Sequence, residues 1–278
     1  MPTKHKVGFI GVGDMGGPMA QHLIDSPHPT YLWARRPPSL EQYEDGSFHR
    51  CATVAEMGSE CDVVGLCVFN DDDVDQIVTG EGGLLSTMKT GSIILVHATI
   101  TVETAQEIAG VAKAKGIDVI DAPVSGARAR SVEGALTIMC GGDREAFVRA
   151  MPVMQCYGKS IKYLGPSGSG QKVKVLNNVL GFANLLTAYI AIETGKKMGL
   201  EPDAMMEVLR TSSGGSFNLN ILIDRLLPDP SFARHALSMT EKDTQIFQEV
   251  CADAGIARSI LDDAAEGASR MLGNLGKG

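Results

Sequence analysis

The chain has 278 residues, enough for one large or two ordinary domains, and its 44% apolar and 21% charged residues are typical of a globular, water-soluble protein. Its net charge of −8 excludes the general basic field that would attract nucleic acid or an anionic membrane, so any anionic ligand must be held by local groups. The six cysteines show neither a CxxC pair nor metal-ligand spacing, and we expect reduced, buried thiols in a cytoplasmic protein.

A glycine-rich turn follows the first predicted strand, Lys6 to Ile10, and opens a segment with helical spacing of apolar residues. Glycines in this context bind a dinucleotide, since they permit a tight turn, close approach of a diphosphate to the backbone, and close packing of the helix on the strand. The phosphates then lie on unpaired amides at the positive end of the helix. The predicted cofactor-binding residues are Gly11, Val12, Gly13, Asp14, Met15 and Gly16.

The second predicted strand, Thr30 to Trp33, ends in Ala34, Arg35 and Arg36. An NAD-binding unit places an acidic residue here for the ribose hydroxyls, whereas guanidinium groups suit a 2′-phosphate. The sequence therefore favours NADP over NAD. The alternative is that one or both arginines only solvate the loop, with Arg36 the better candidate for that role.

Strands and helices alternate up to about residue 165, as in a Rossmann-type doubly wound parallel sheet. The run Asp62 to Phe69 predicts a central strand, with Val68 and Asn70 near the cofactor; Asn70 to Asp73 resemble metal ligands but are expected to cap a helix starting near Val74. Further strands are predicted at 92–96, 117–120, 135–140 and 160–164, and a helix at about 102–115.

After residue 168 all predicted elements are helices, at about 168–198, 203–211, 217–226, 236–254 and 257–272. We therefore predict a dinucleotide-binding domain at 1–165 and an all-helical domain at 166–278. No stretch is expected to cross a membrane, because the longest apolar run, Val179 to Ile192, is shorter than the roughly 20 residues of a span.

The long helix carries Lys174 and Asn178 on one face, since residues four apart are neighbours on a helix. Apolar residues occupy most of its circumference, which predicts that most of the helix is buried. At 1.5 Å per residue it would run about 45 Å, long enough to join the two domains.

Four segments in register resemble the β-hydroxyacid dehydrogenase family, which includes 3-hydroxyisobutyrate dehydrogenase and tartronate semialdehyde reductase. They are GFIGVGDMGGPMAQHL at 8–23, DAPVSGARARSVEGALTIM at 121–139, GSGQKVKVLNN at 168–178, and the Glu241-Lys242-Asp243 region. The resemblance covers the chain from Gly8 to about Gly255 and implies a Rossmann domain, a long connecting helix and a helical domain, with the site in the cleft between the domains.

The resemblance also implies roles for single residues. Lys174 would be catalytic, with Asn178 as its partner, and both would contact the substrate. Ser125, Gly126 and Ala127 would hold the carboxylate of a small substrate, and Thr99 and Lys242 would contact the cofactor. Members of the family usually form homodimers or homotetramers through the helical domain, so the resemblance implies that residues 166–278 serve both substrate binding and oligomerisation.

Four positions depart from the family pattern. His97 and Ala98 stand where Asp and Ser are usual, Ala127 replaces a second glycine and is followed by Arg128 and Arg130, and Ala135 replaces a threonine. These departures leave the reaction type intact and make the substrate uncertain. A second acidic group or a phosphate on the substrate would suit the two arginines, although a solvated loop is the favoured explanation.

Hydride transfer to a carbonyl carbon requires a group that exchanges a proton with the oxygen. A lysine with a pKa near 10.4 is a poor base at neutral pH, so we assign Lys174 as proton donor in reduction and as base in the reverse direction. One alternative is a non-catalytic nucleotide-binding or assembly module, which has no need for Lys174 and Asn178. The other is a related imine reductase, a group that typically lacks this lysine.

Overall fold

The computed structural model describes residues 4–43, 46–229 and 231–277. The chain forms two compact units that meet in sequence between Lys174 and Val175. Among the described residues, every strand lies in the first unit and the second unit contains only helices.

The first unit is built on one mixed sheet in the order β3-β2-β1-β4-β5-β6-β8-β7, with β9 paired to β8. Its strands β1 to β6 pair in parallel, and β8 runs antiparallel to β6 and β7. The strands are β1 (Val7–Ile10), β2 (Thr30–Trp33), β3 (His49–Arg50), β4 (Val63–Leu66), β5 (Ile93–Val96), β6 (Asp118–Asp121), β7 (Val124–Ser125), β8 (Leu136–Gly141) and β9 (Gly158–Gly165).

Helices cover both faces of this sheet, which explains why β1, β4 and β5 are buried along their full length. Alternate strand residues enter two separate cores: Phe9 and Leu95 on one face, Ile10 and Val96 on the other. The helices are α1 (Gly16–Ile24), α2 (Val54–Glu60), α3 (Asp71–Val78), α4 (Val102–Lys113), α5 (Ala127–Val132) and α6 (Arg144–Met154), with 3₁₀ turns at Pro37–Tyr43 and Leu84–Ser86.

The strand order reverses between β1 and β4, because β1 pairs with β2 on one side and with β4 on the other. In doubly wound sheets, ligands bind at the carboxyl ends of the strands at such a point. The predicted Rossmann-type sheet is confirmed. The sequence prediction missed the short strands β3 and β7 and placed the start of α3 three residues late.

The second unit is a helical bundle. The start of helix α7 (Ser169–Lys197), up to Lys174, belongs to the first unit, and the rest of the helix belongs to the second. It is followed by α8 (Pro202–Thr211), α9 (Phe217–Ile221), a π-helical turn (Leu222–Leu226), α10 (Ser231–Asp253) and α11 (Ile260–Leu275). The predicted helix 217–226 therefore changes its hydrogen-bond pattern halfway along.

The predicted burial of most of the long helix is wrong for the single chain. Val175, Val179 and Ile192 of α7 are fully buried, but Leu176, Leu180 and Ile190 are each about half exposed. By length and composition alone α7 is apolar enough to cross a membrane, and 22% of its most apolar stretch is buried. Core helices of other proteins meet the same criterion, so this is weak evidence of membrane insertion. Helix α7 thus carries more apolar side chains than the single chain buries.

Candidate active site

The glycine turn after β1 has the geometry that a dinucleotide requires. A Cβ on Gly11, whose φ is +96°, would lie 2.1 Å from the carbonyl oxygen of Cys67, and one on Gly16 would lie 1.9 Å from the carbonyl oxygen of Gly11. These two glycines are therefore needed for packing. A Cβ on Gly13 would meet nothing within 4 Å, and Met15 gives α1 no side-chain cap. Open space in front of uncapped amides fits a diphosphate.

At the carboxyl end of β2, Arg35 forms an ion pair with Asp73 in the first turn of α3. The end of β2 has no carboxylate of its own, but α3 supplies one beside Arg35. Arg35 and Trp33 also line a cavity of about 320 Å³. Arg36 accepts a hydrogen bond from Ser39 through its backbone carbonyl, as in an ordinary loop turn.

The residues after β4 behave as their local sequence predicts. Asn70 caps α3, and its side-chain oxygen accepts a hydrogen bond from the amide of Asp73 at 2.9 Å. The helix-cap interpretation of 70–73 is confirmed. Val68 packs, half-buried, against the core of the sheet.

Asp121, at the end of β6, holds the start of α7. Its carboxylate is 1% exposed and accepts hydrogen bonds from the amides of Gly168 at 2.8 Å and Gln171 at 3.1 Å. Burial raises its pKa to about 6, although the backbone N–H groups of Gly168, Gln171 and Gly170 act in the opposite direction. The carboxylate thus fixes the first turn of the helix that carries Lys174.

Gln171 in turn fixes the loop that contains Thr99. Its fully buried side chain accepts from the amide of Ile100 at 3.2 Å and donates to the carbonyl of Ala98 at 2.9 Å. These two bonds hold the residues directly before and after Thr99. The position of Thr99, a predicted cofactor contact, is therefore set by the same helix start whose amides Asp121 accepts.

Lys174 lies beside the predicted carboxylate-binding segment. Its ammonium donates a hydrogen bond to the carbonyl of Val124 at 2.8 Å, one residue before Ser125. It also lies within electrostatic range of Cys67, which follows β4: burial raises the pKa of that thiol to about 12, and Lys174 opposes the shift. The ammonium therefore lies near the start of the Ser125 segment, residues 125–127, and near the carboxyl end of β4.

The Ser125 segment turns sharply into α5. Gly126 has a φ of +137°, and Ala127 has a φ of +54°, the only positive φ among non-glycine residues in the part of the chain that is described. An alanine in this region costs roughly 1–2 kcal/mol relative to ordinary backbone. Ala127 stands where the family usually has a second glycine. Its backbone still adopts the left-handed conformation that glycine tolerates, and is therefore strained.

His97, another departure from the family pattern, is a core residue. Its Nδ1 lies 2.8 Å from the carbonyl oxygen of Ala122, its Nε2 lies 3.0 Å from the Tyr157 hydroxyl, and its ring stacks on Phe9. Burial lowers its pKa to about 4, so the ring is neutral at physiological pH. The hydrogen bonds at both nitrogens account for the residue without a catalytic role.

In the second unit, Asn178 donates to the carboxylate of Asp243 at 2.6 Å, and Lys242 forms an ion pair with the same carboxylate at 2.9 Å. The two predicted residues are thus joined through Asp243, whose side chain is 8% exposed. Their contacts with cofactor and substrate remain predictions from the family resemblance.

Sequence reasoning missed three residues that organise these groups: Asp121, Gln171 and Asp243. All three lie within the segments that resemble the family: Asp121 in the second, Gln171 in the third and Asp243 in the fourth. A polar residue at the carboxyl end of a buried strand was the available signal for Asp121. Nothing local distinguished Gln171, because its hydrogen bonds reach residues more than seventy positions away.

Both halves of the chain match known families. Residues 6–165 match the family described as the NAD binding domain of 6-phosphogluconate dehydrogenase. Residues 168–278 match the family described as NAD-binding of NADP-dependent 3-hydroxyisobutyrate dehydrogenase. The two matches abut at the glycine-rich start of α7.

Characterised relatives cover most of the chain. It is 32% identical over 244 residues to 2-(hydroxymethyl)glutarate dehydrogenase of Eubacterium barkeri, covering 87% of this chain and 81% of that protein. It is 31% identical over 238 residues to L-threonate dehydrogenase of Cupriavidus necator, covering 85% and 80%.

Solved structures show the same fold at lower identity. A 3-hydroxyisobutyrate dehydrogenase of Mycobacterium tuberculosis with L-serine aligns with a TM-score of 0.82 at 22% identity, covering 99% of this chain and 96% of that one. An imine reductase from Myxococcus stipitatus aligns at 0.58 and 16% identity, covering 98% and 95%. With the two family matches and the dehydrogenases above 30% identity, these findings show that the chain belongs to the β-hydroxyacid dehydrogenase family of NAD(P)-dependent oxidoreductases acting on CH–OH groups.

Proposed function

We propose that this protein interconverts a small β-hydroxyacid and its semialdehyde or keto form with NADP(H), and that Lys174 exchanges the proton. The observation that carries the proposal is the 2.8 Å hydrogen bond from the Lys174 ammonium to the carbonyl of Val124, directly before Ser125. It supports a charged proton donor beside the segment that would hold the substrate carboxylate.

The cofactor, when bound, supplies or accepts the hydride. In reduction, Lys174 gives a proton from Nζ to the carbonyl oxygen as the carbon gains the hydride, and the product is the alcohol. In the reverse direction the neutral amine takes the hydroxyl proton. The hydrogen bond to Val124 orients Nζ before substrate arrives, which reduces the entropy lost on reaching the reactive geometry.

Ser125 and Gly126 would hold the substrate carboxylate through a hydroxyl and a backbone amide. Two neutral donors fix the position of a carboxylate without adding charge next to Lys174. The positive φ of Gly126 and Ala127 supports this assignment, because strained backbone persists where surrounding structure and function require it. The substrate within the β-hydroxyacid class would be set by side chains beyond this segment.

The preference for NADP would come from Arg35. Arg35→Ala is expected to weaken NADPH binding about tenfold or more and NADH binding by less than about twofold, because a charge-assisted bond to the 2′-phosphate is worth about 1.5–3 kcal/mol. Titration calorimetry with each cofactor measures both constants. Equal losses for the two would show that Arg35 does not contact the 2′-phosphate.

Two controls sharpen that experiment. Arg36→Ala removes the same charge from the adjacent residue and should affect neither cofactor. Asp73→Asn removes the carboxylate that pairs with Arg35. If Arg35 binds the 2′-phosphate, the Asp73 variant keeps or gains NADPH affinity; if Asp73 binds ribose hydroxyls, it loses NADH affinity instead.

The reaction itself is tested with a substrate panel and both cofactors, in both directions. The panel contains β-hydroxyacids, their semialdehydes and keto acids, dicarboxylic analogues, and cyclic imines. Turnover of a β-hydroxyacid or semialdehyde with NADP(H) supports the proposal. Turnover of imines alone, or of no compound while cofactor still binds, would replace it with the imine reductase or the non-catalytic module.

We further propose that the active form is a homodimer or homotetramer in the cytoplasm. The support is the half-exposed apolar face of α7 at Leu176, Leu180 and Ile190, which a second copy of the helical unit would cover.

A further inference from the structure

Arg128 follows the predicted carboxylate-binding residues Ser125, Gly126 and Ala127, and the proposed function gives it no role. It lies in the first turn of α5, and its guanidinium donates to the backbone carbonyl of Asp14 at 3.1 Å and to the Asp14 carboxylate at 3.3 Å. Asp14 is in the glycine turn between Gly13 and Met15. The guanidinium therefore lies at the turn where a dinucleotide diphosphate binds.

The backbone of α5 is tied to the same turn. Ser131 donates from its hydroxyl to the carbonyl of Met15 at 2.7 Å, and the ring of His22 on α1 contacts the carbonyl oxygens of Ser131 and Val132 at 3.1 and 3.0 Å. The helix that carries Arg128 is therefore held against the glycine turn at both ends, by Arg128 in its first turn and by Ser131 in its last.

The negative charges around this turn explain why a positive side chain is favourable at position 128. The protein carries a net charge of −8, and Asp14 adds a carboxylate beside the position of two phosphates. A diphosphate next to an uncompensated carboxylate is repelled. A guanidinium is the group best suited to bind phosphate oxygens in pairs.

The contact with Asp14 is easily exchanged. The Arg128 side chain is 50% exposed and that of Asp14 is 71% exposed. Exposed ion pairs contribute only about 0–1 kcal/mol, so the guanidinium can leave the carboxylate for a doubly charged ligand at little cost.

We propose that Arg128 is a cofactor-binding residue that closes on the diphosphate of the dinucleotide from α5, turning from Asp14 to the phosphate oxygens when the cofactor binds. The assignment rests on the dinucleotide binding of the proposed function, but not on its substrate or on NADP preference. The stretch from Ser125 to Arg128 would then contribute to cofactor binding as well as to substrate binding.

The test compares Arg128→Ala with Arg130→Ala, which removes the same charge two residues further along α5. Kd is measured by calorimetry for NADPH, NADH, ADP-ribose and AMP at fixed salt. We expect Arg128→Ala to weaken the three diphosphate ligands by a similar factor, about tenfold, and to leave AMP within twofold. Arg130→Ala should change none of them. Unchanged binding of all three diphosphates overturns the proposal, and a raised KM only for dicarboxylic substrates assigns Arg128 to the substrate instead.

A second variant separates direct contact from simple neutralisation of Asp14. In the Asp14→Asn background, Arg128→Ala should still weaken ADP-ribose about tenfold if the guanidinium contacts the phosphates. Loss of the effect in that background would show that Arg128 only cancels the Asp14 charge, and would overturn the proposal. The ADP-ribose readout needs no turnover, so failure to find a substrate leaves this test intact.

Discussion

Replacing Lys174 with methionine is expected to reduce kcat by about 10²- to 10⁴-fold, the usual contribution of a positioned acid or base. This equals about 3–5 kcal/mol of transition-state stabilisation. Methionine keeps most of the length of the side chain but removes the ammonium that donates to Val124. Dissociation constants for NADPH should stay within about twofold, because the proton donor acts on the substrate oxygen. Steady-state kinetics and calorimetry on the same preparation measure both effects.

Two further substitutions identify the cause of the loss. Lys172→Met removes an exposed ammonium from the same helix and should leave kcat unchanged. Lys174→Arg keeps the positive charge but cannot deliver a proton at neutral pH, since the guanidinium pKa exceeds 12. Turnover near the original level in the arginine variant would show that charge alone is required. Turnover near that level in the methionine variant would remove Lys174 from the mechanism altogether.

Features set by short-range spacing were predictable from the sequence. The turn at Gly11 to Gly16 requires glycine for contacts within itself and with one neighbouring strand, and its spacing therefore identifies it. The cap at Asn70 depends on an amide three residues ahead. Local patterns of this kind gave the Rossmann sheet and the order of its elements.

Contacts between distant residues were not predictable in the same way. Arg35 pairs with Asp73, 38 residues away, so reading β2 alone missed a carboxylate beside the predicted phosphate contact. The hydrophobicity of α7 predicted that most of its surface is buried, but which neighbours cover an apolar side chain depends on distant parts of the molecule. One chain covers only part of this surface, and the predicted burial was wrong at Leu176, Leu180 and Ile190.

The second large effect concerns stability and depends on Asp121. Asp121→Ala is expected to lower the free energy of unfolding by about 3 kcal/mol, because the amides of Gly168 and Gln171 lose a buried acceptor and each such loss costs about 1–3 kcal/mol. Asp121→Asn keeps the shape, but its amide oxygen can serve only one of the two donors well. Denaturant unfolding of all three proteins measures the differences.

The pH dependence distinguishes a titrating carboxylate from a merely well-packed one. The pKa of Asp121 is raised from 3.8 to about 6 in the folded protein. The folded state therefore binds more protons between these values, and the stability that the neutral acid contributes is present below about pH 4 and lost as the pH rises through 6. Asparagine does not titrate. The destabilisation by Asp121→Asn should thus be greatest near pH 4 and shrink by about 2–3 kcal/mol by pH 7.

Only the difference between variant and parent isolates this effect, because His97 titrates with the opposite sign. Its folded pKa is lowered from 6.5 to about 4, so its contribution is present above about pH 6.5 and lost as the pH falls through 4. The two buried groups therefore oppose each other over the same range, and the parent protein should change little between pH 4 and 6.5 on their account. A pH-independent difference between Asp121→Asn and the parent would mean that the carboxylate stays ionised, with its charge stabilised by the start of α7.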